Sequence, residues 1–395
     1  MSDSARTADI TPETNVILYN SSSFGGCYDY ALALLPHFAG RPEVKKATLL
    51  LTKNSAPQGK NIDKPLLPDI GKGKSTLAKK LYFIYRSFIN PLILLAYLRK
   101  TGSSLVIFND FEQISAIIWV PLFKLLLPKN KHRFAIILHD PDRDAYPPNL
   151  AFTTFSMKLI MSIMDLGLYH EYLPEKPYYQ GERTRYLAIP HGILPSAQPD
   201  MLMRSILAGF REPGSQLAAI VGNIRAEKNY HLAIASLPKL PNLRLVFAGR
   251  PANSNVDPEV YQKQAEALGV DDRILWIERF LGDAEMSAII QESDILLLYY
   301  ARSFTSQSGI MNLLAPFMKK TVISDGESSL ATLTRRYGIG VLAEPDNQQA
   351  LDKALADCMA LPEESLRAGW KNYLAFADWD NNVGIVMKAF KELPR

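Results

Sequence analysis

The chain is 395 residues long, 47% hydrophobic and 21% charged, a globular composition with room for two or three domains rather than a disordered tail. Its two cysteines, Cys27 and Cys358, stand far apart, which excludes a disulfide framework and a cysteine-built zinc site and suits a reducing compartment. Lys and Arg number 44 against 40 Asp and Glu, and the net of +4 excludes little by itself.

The opening MSDSARTADITPETN is polar and has no apolar h-region, so no signal peptide is expected. Short aliphatic runs follow: NVILYN (15–20), ATLLLT (47–52), SLVIFN (104–109), FAIILH (134–139) and RYLAIP (185–190). Each is apolar on both faces, as strands of a parallel sheet covered by helices are. Residues 53–80 are rich in Lys, Pro and Gly and read as a long loop. Within it GKGKST (71–76) resembles a nucleotide-binding P-loop. Pro68 stands where that motif needs its first Gly, and no buried strand precedes it, so Lys72 and Lys74 read as loop charges.

Two apolar stretches, 81–99 and 112–127, are interrupted by Arg86, Asn90 and Pro91 and by Pro121 and Lys124. A spanning helix needs about 20 mostly uninterrupted apolar residues. Two readings stand: buried helices of an α/β domain, or an apolar, basic surface lying on a bilayer. After the polar connector HGILPSAQPD the pattern restarts with LAAIVGN (217–223), LRLVFAG (243–249), RILWIE (273–278), DILLLYY (294–300) and KTVISD (320–325). Helical segments at 228–237, 256–268, 284–292 and 328–337 separate them. Alternation in two blocks argues an α/β fold of two doubly wound, Rossmann-like domains facing a cleft, with ligands beyond the carboxyl ends of strands.

Four constellations carry chemistry. NSSSFGGCYDYALAL follows the first strand, and its Ser/Gly turn offers backbone N–H groups to a phosphate or polar ligand, Gly25 and Gly26 allowing close approach. The plainer reading is an ordinary strand-to-helix turn. VGNIRAEKNYHLAIASL places Asn223, Arg225 and Lys228 after the first strand of the second block; two cations there suit a diphosphate, although Glu227 between them also fits a solvated charged turn. YYARSFTSQSGIMNLLAPF leads from a strand through Arg302 to a helix beginning near Ser308, with Ser306 a candidate N-cap and the helix start favouring an anion. LHDPDRDAYPPN places His139, Asp140, Asp142, Arg143 and Asp144 after a buried strand, where they could supply an acid/base group or bind hydroxyls. Their spacing does not make a metal site.

These pieces, in this order, resemble the GT-B-fold glycosyltransferases, closest to glycosyltransferase family 4. They are Gly25–Gly26, Leu138–Asp140, IPHGI (189–193), GNIRAEKNYHLAI (222–234), LVFAG (245–249), 276–298, Ser308–Gly309 and TVISD…LTRRYGIGVLAEPDN (321–347). The resemblance implies an acceptor-side domain at 1–190, a linker at 191–215, a donor-binding domain at 216–375, and a terminal helix at 376–395 that returns to the first domain. It also implies a nucleotide diphosphate sugar held mainly by the second domain. Lys228 matches the lysine on the donor diphosphate, and Arg225 takes the role of an arginine replaced here by Asn223. Glu278 to Leu281, with Arg279 and Phe280, match the nucleobase region, and His139 matches the histidine near the transferred sugar. The family's two glutamates align with Ser306 and Leu314, so donor contacts are expected from Ser306, Gln307, Ser308 and Gly309 instead.

The expected reaction is sugar transfer to a hydroxyl of a glycan or lipid-linked glycan in bacterial polysaccharide or glycolipid assembly. No cofactor beyond the sugar nucleotide is expected, and no metal. A retaining enzyme needs no strong protein base; an inverting one would use Asp140 or Asp142. The rival readings are a catalytically silent GT-B subunit supporting an active partner, motivated by the missing glutamates, and a sugar-nucleotide epimerase of the same fold. Residues 41–133 hold 17 Lys and Arg against 5 Asp and Glu, a net of +12 that leaves −8 for the rest. Interleaved with apolar helices, this charge suggests peripheral docking of a cytoplasmic protein on an anionic inner leaflet rather than nucleic acid. The sequence leaves the oligomeric state open.

Overall fold

The computed structural model describes residues 14–69, 75–144, 148–253 and 256–394. Lys72 and Lys74 lie outside the described residues. The chain forms two compact units, the first running to Ile189 and resuming at Trp379, the second spanning Pro190–Asp378.

The first unit holds seven strands: β1 (Thr14–Tyr19), β2 (Val44–Thr52), β3 (Ile62–Leu66), β4 (Ser104–Phe108), β5 (His132–Leu138), β6 (Leu166–Tyr169) and β7 (Arg185–Ala188). Its helices include α1 (Gly26–Ala39), α2 (Thr76–Lys100) and α3 (Ala116–Leu126). The strands are all parallel in the order β3-β2-β1-β4-β5-β6-β7. Central β1 sits with Val16 opposite both Ala47 and Leu105, and Val16 to Tyr19 are all buried. A strand covered on both faces must be apolar at every position, which is why its sequence does not alternate.

The second unit holds six: β8 (Gln216–Val221), β9 (Leu243–Ala248), β10 (Ile274–Ile277), β11 (Ile295–Leu298), β12 (Lys320–Ser324) and β13 (Val341–Ala343). They too are parallel, in the order β10-β9-β8-β11-β12-β13. In each sheet the chain winds outward from its first strand, then crosses back over it. The reversals fall between β1 and β4 and between β8 and β11. There the connections leave in opposite directions and a crevice opens at the strands' carboxyl ends.

Four features differ from the sequence reading. The stretch 53–80 is not all loop: it contains β3 and the start of α2. β3 is an edge strand, where Pro65 removes a hydrogen bond that no neighbour needs. The short strands β6 and β13 also escape a pattern search. Inside the stretch read as linker, Met201–Phe210 is a helix capped by Asp200, whose carboxylate accepts from Met203 N at 2.7 Å. Finally, the helix expected from 228 starts at Tyr230, because Asn229 is left-handed with φ 52°.

α2 is long and apolar enough to cross a membrane by length and composition. Its two halves differ. Leu94, Leu95 and Leu98 are buried in the first unit's core, and Asn90 Oδ1 accepts the N–H of Leu67 at 2.9 Å. Leu77, Leu81, Phe83, Ile84 and Tyr85 are exposed instead. The helix passes through Pro91, which cannot donate to the carbonyl of Ser87. Ser115 Oγ donates to that oxygen at 2.5 Å and closes the gap. The helix Trp379–Lys391 packs on α1: Asn382 Nδ2 donates to Tyr30 Oη at 2.8 Å, and the Trp379 ring meets Tyr30 edge-on at 4.9 Å.

Ser115→Ala should leave the Ser87 carbonyl unpaired in the interior and lower stability by about 1–2 kcal/mol in denaturant unfolding. A Ser115→Thr variant, which keeps the hydroxyl, should lose less.

Candidate functional site

At the β8/β11 crevice the loop after β8 is pinned from below. Ile224 is buried, its N–H donates to Arg250 O at 2.8 Å, and its carbonyl accepts from Ala252 N at 3.0 Å. That anchoring turns Asn223 and Arg225, on either side, out to solvent. Gly222 has φ 84°, and a Cβ there would meet Ile310 at 3.1 Å. Only glycine lets this loop pass so close to the helix Gly309–Leu314.

Lys228 is buried and folds back so that Nζ donates to Val221 O at 2.6 Å. Its two other N–H donors have no partner among the described residues. Burial strips water from the ammonium and the charge of Arg225 adds to the cost, with Glu227 opposing; the result is a lysine pulled down to about 7. Arg225 is half exposed and 3.8 Å from Glu227. Its cation is therefore available to a ligand.

The loop after β11 comes to the same place. Ala301 N donates to Glu227 O at 2.7 Å, tying the two loops together. The rings of Tyr300 and Phe304 stack at 4.1 Å, and Tyr300 Oη bonds Ser308 Oγ at 3.0 Å. The N-cap is Ser308, not Ser306, and Ser308 spends its hydroxyl on Tyr300 rather than on the helix. The helix is six residues long, so its dipole is small, and what it offers is the local N–H groups of its first turn. Gly309 is exposed, with nothing within 4 Å of where a Cβ would stand. Gln307 carries its amide inward, and neither Nε2 nor Oε1 has a partner among the described residues. Leu314 is fully buried in the core, so its position faces packing rather than ligand.

Two nucleobase-region candidates separate. Arg279 grips Glu285 with both guanidinium nitrogens at 2.5 and 3.0 Å, which holds the Glu285 carboxyl down at about 2. Its fork is thus occupied. Phe280 is 68% exposed, with the Arg250 guanidinium over its ring at 5.4 Å, and offers a flat face for stacking.

In the first unit the serine turn differs from expectation. The N–H groups of Ser21 and Ser22 already donate to Asp110 at 2.6 and 3.0 Å, and that of Ser23 to Asp69 at 2.8 Å. The expected phosphate cradle is filled by the protein's own carboxylates. Gly25 and Gly26, at the start of α1, remain exposed. His139 is held by Asn109 Oδ1 at 3.0 Å and His170 Nε2 at 3.2 Å, with Tyr30 edge-on at 4.6 Å. Asp142 and Asp144 are both bound by Lys176, at 3.0 and 2.5 Å. They brace the loop after β5, and Asp142 drops out as a candidate base. Asp140 lines the cavity at the β1/β4 crevice together with His139.

Sequence reading passed over Asp110 and Glu112, which line that same cavity. The signal was present: NDFE follows the buried run SLVIF directly, at the strand that neighbours β1 across the reversal.

The family model for glycosyl transferases group 1 matches residues 209–374. The D-inositol 3-phosphate glycosyltransferase of Corynebacterium glutamicum is 27% identical over 164 residues, which is 39% of this chain and 38% of that relative's length. Sucrose-phosphate synthase from Thermosynechococcus elongatus superposes with a TM-score of 0.69 at 14% identity, covering 96% of this chain and 99% of that one. HepE of Anabaena, solved in complex with UDP-glucose, gives 0.65 at 12% identity, covering 96% and 100%. The fold is thus that of the GT-B glycosyltransferases, an α/β fold with two Rossmann-like domains, as the sequence resemblance implied. Within it, residues 209–374 carry the pattern of glycosyl transferases group 1.

The buried lysine has a pH signature. Lys228 binds its proton less tightly folded, at about 7, than at the unfolded 10.5. Between those values only the unfolded chain is protonated, so this group's contribution to stability rises as pH rises from about 7 to 10.5. Lys228→Met should remove that component and raise the melting temperature most near pH 7, where the wild type still carries the cost; equal shifts at pH 7 and pH 10 would contradict it.

Proposed function

We propose that this chain is a nucleotide-sugar-dependent glycosyltransferase that moves a sugar from a nucleoside diphosphate sugar to a hydroxyl of a glycan or lipid-linked glycan, in bacterial polysaccharide or glycolipid assembly. The observation that carries the reading is Lys228, buried at the β8/β11 crevice with unspent donors, beside the exposed cation of Arg225. A buried ammonium without a counter-ion is costly. A diphosphate supplies the missing charge and restores the proton.

In the reaction the bond from the anomeric carbon to the β-phosphate oxygen breaks, and the acceptor oxygen bonds to that carbon. Negative charge develops on the departing diphosphate, where Lys228, Arg225 and the N–H groups at Ser308–Gly309 neutralise it. This assigns to protein groups the role a metal ion would otherwise take. If configuration is retained, the leaving phosphate takes the acceptor's proton; if it is inverted, Asp140 takes it. Phe280 stacks on the base, and Asn223, Ser306 and Gln307 complete the donor contacts. His139, its orientation fixed by Asn109 and His170, is the residue that the family resemblance matches to the histidine near the transferred sugar.

Lys228→Ala should keep the fold and lower turnover at least about a hundredfold. Full turnover in that variant would remove Lys228 from the mechanism. The buried Leu314, in place of a ribose-gripping carboxylate, favours one other reading, a silent GT-B subunit. Titration with a panel of nucleotide sugars separates the two: the silent reading requires that none binds.

The same reading places the protein at a cytoplasmic membrane face. The exposed half of α2 carries Lys79 and Lys80 among its apolar residues, and α3 adds exposed Ile117, Ile118, Lys124, Leu125 and Leu126. An apolar face studded with lysine suits an anionic leaflet at about 1 kcal/mol per basic residue. The protein should co-sediment with phosphatidylglycerol vesicles at low salt and be released at about 0.5 M salt. Lack of binding at every salt concentration would refute the docking.

A further inference from the structure

The β1/β4 crevice encloses a cavity of about 330 Å³ in the first unit. Its chemistry is unlike that of the β8/β11 crevice. Asp110 takes Ser21 N, Ser22 N and Ser22 Oγ, the last at 2.6 Å. Asp69 takes Ser23 and pairs with Arg86. The turn's N–H groups and the Arg86 charge are therefore both satisfied by carboxylates of the chain. Glu112 stands beside Asp110 and accepts from Tyr19 Oη at 2.7 Å. Burial, with the Asp110 charge beside it, pushes the Glu112 carboxyl up and favours its protonated form, which has a proton to donate. Arg143 is steered by Gln113 Oε1 at 3.1 Å and lies over the Phe111 ring at 5.1 Å. Phe83, exposed on α2, forms part of the wall.

An anion entering this cavity meets Asp110 and Asp140, while Arg86 is held by Asp69 and Arg143 by Gln113. A neutral polyol meets a different surface. Hydroxyl groups find acceptors in the carboxylates and in Ser22 Oγ, whose own proton goes to Asp110, and donors in the Glu112 acid and the Arg143 guanidinium. The C–H face of a sugar ring finds the aromatic faces of Phe83 and Phe111. The volume suits one ring and part of a second.

We propose that this cavity binds an uncharged sugar ring, the neutral head of the acceptor, and discriminates against phosphorylated sugars. The assignment rests on the transferase reading only in naming that sugar the acceptor. The Phe83 wall continues into the exposed apolar residues of α2, which gives a lipid attached to the head a path along the helix.

The test is direct binding to the full chain, with no turnover required. The probes are the methyl glycosides of glucose, galactose, mannose and N-acetylglucosamine, set against the corresponding 6-phosphates and inositol 3-phosphate, read by saturation-transfer NMR and calorimetry at pH 7. At least one neutral glycoside should bind in the millimolar range, at least about tenfold tighter than its phosphate. Glu112→Gln, which keeps a neutral donor and acceptor, should bind within about threefold of wild type, whereas Glu112→Leu and Phe83→Ser should each weaken binding about tenfold or more. Circular dichroism checks that each variant is folded; Phe83→Ser, at an exposed position, serves if Glu112→Leu is not. Tighter binding of the phosphates, no binding of any glycoside, or unchanged affinity in Phe83→Ser would each overturn the proposal. Failure of the donor reading looks different: nucleotide sugars would not bind, while the glycosides still would.

Discussion

A parallel sheet sends every connection back over one of its faces, and somewhere the direction of winding must reverse. That reversal is the constraint on which both units depend. At β1/β4 and at β8/β11 two neighbouring strands send their following segments to opposite faces, so neither covers the space beyond their ends. The crevices are products of connectivity. The residues placed just after β1, β4, β8 and β11 inherit them, whatever their own preferences. This is why short polar stretches, unremarkable as loops, hold most of the chemistry in this protein.

The two crevices are filled in opposite ways. Beyond β8, backbone hydrogen bonds at Ile224 pin the loop, leaving the side chains of Arg225 and Lys228 to supply positive charge. Beyond β1, Asp110 and Asp69 consume the backbone donors, and the cavity is lined by carboxyl groups, serines and aromatic rings. In the proposed function the first arrangement serves a diphosphate and the second a neutral polyol, and the lopsided distribution of charge along the chain follows that proposed division only in part. Among the described residues, most of the Lys and Arg in 41–133 are exposed, while the first unit's cavity sets Asp110, Glu112 and Asp140 beside Arg86 and Arg143.

Much of the fold was legible because apolar runs in a doubly wound sheet are continuous and easily seen. The ten runs read as strands each overlap a strand. Missed were β3, β6 and β13: β3 is a partly exposed edge strand interrupted by Pro65, β13 is another edge, and β6 has four residues. At the site, Lys228 and Arg225 were visible as cations after a strand. The roles of Asp110 and Glu112 were not visible in that way, because the strand that makes them neighbours of Ser21 and Ser22 lies about ninety residues along the chain.

What the sequence determined by itself was the class of architecture, the order of its parts and the kind of residue at each strand end, since periodicity and composition are local properties. What tertiary structure alone decided was which of those residues remained open to a ligand. The serine turn looked like a phosphate cradle until Asp110 and Asp69 were found in it. Asp142 looked like a base until Lys176 was found against it, and Arg279 looked like a donor contact until Glu285 was found in its fork. Hydrogen-bonding capacity belongs to a residue, but whether it is already spent depends on partners that only folding brings within reach.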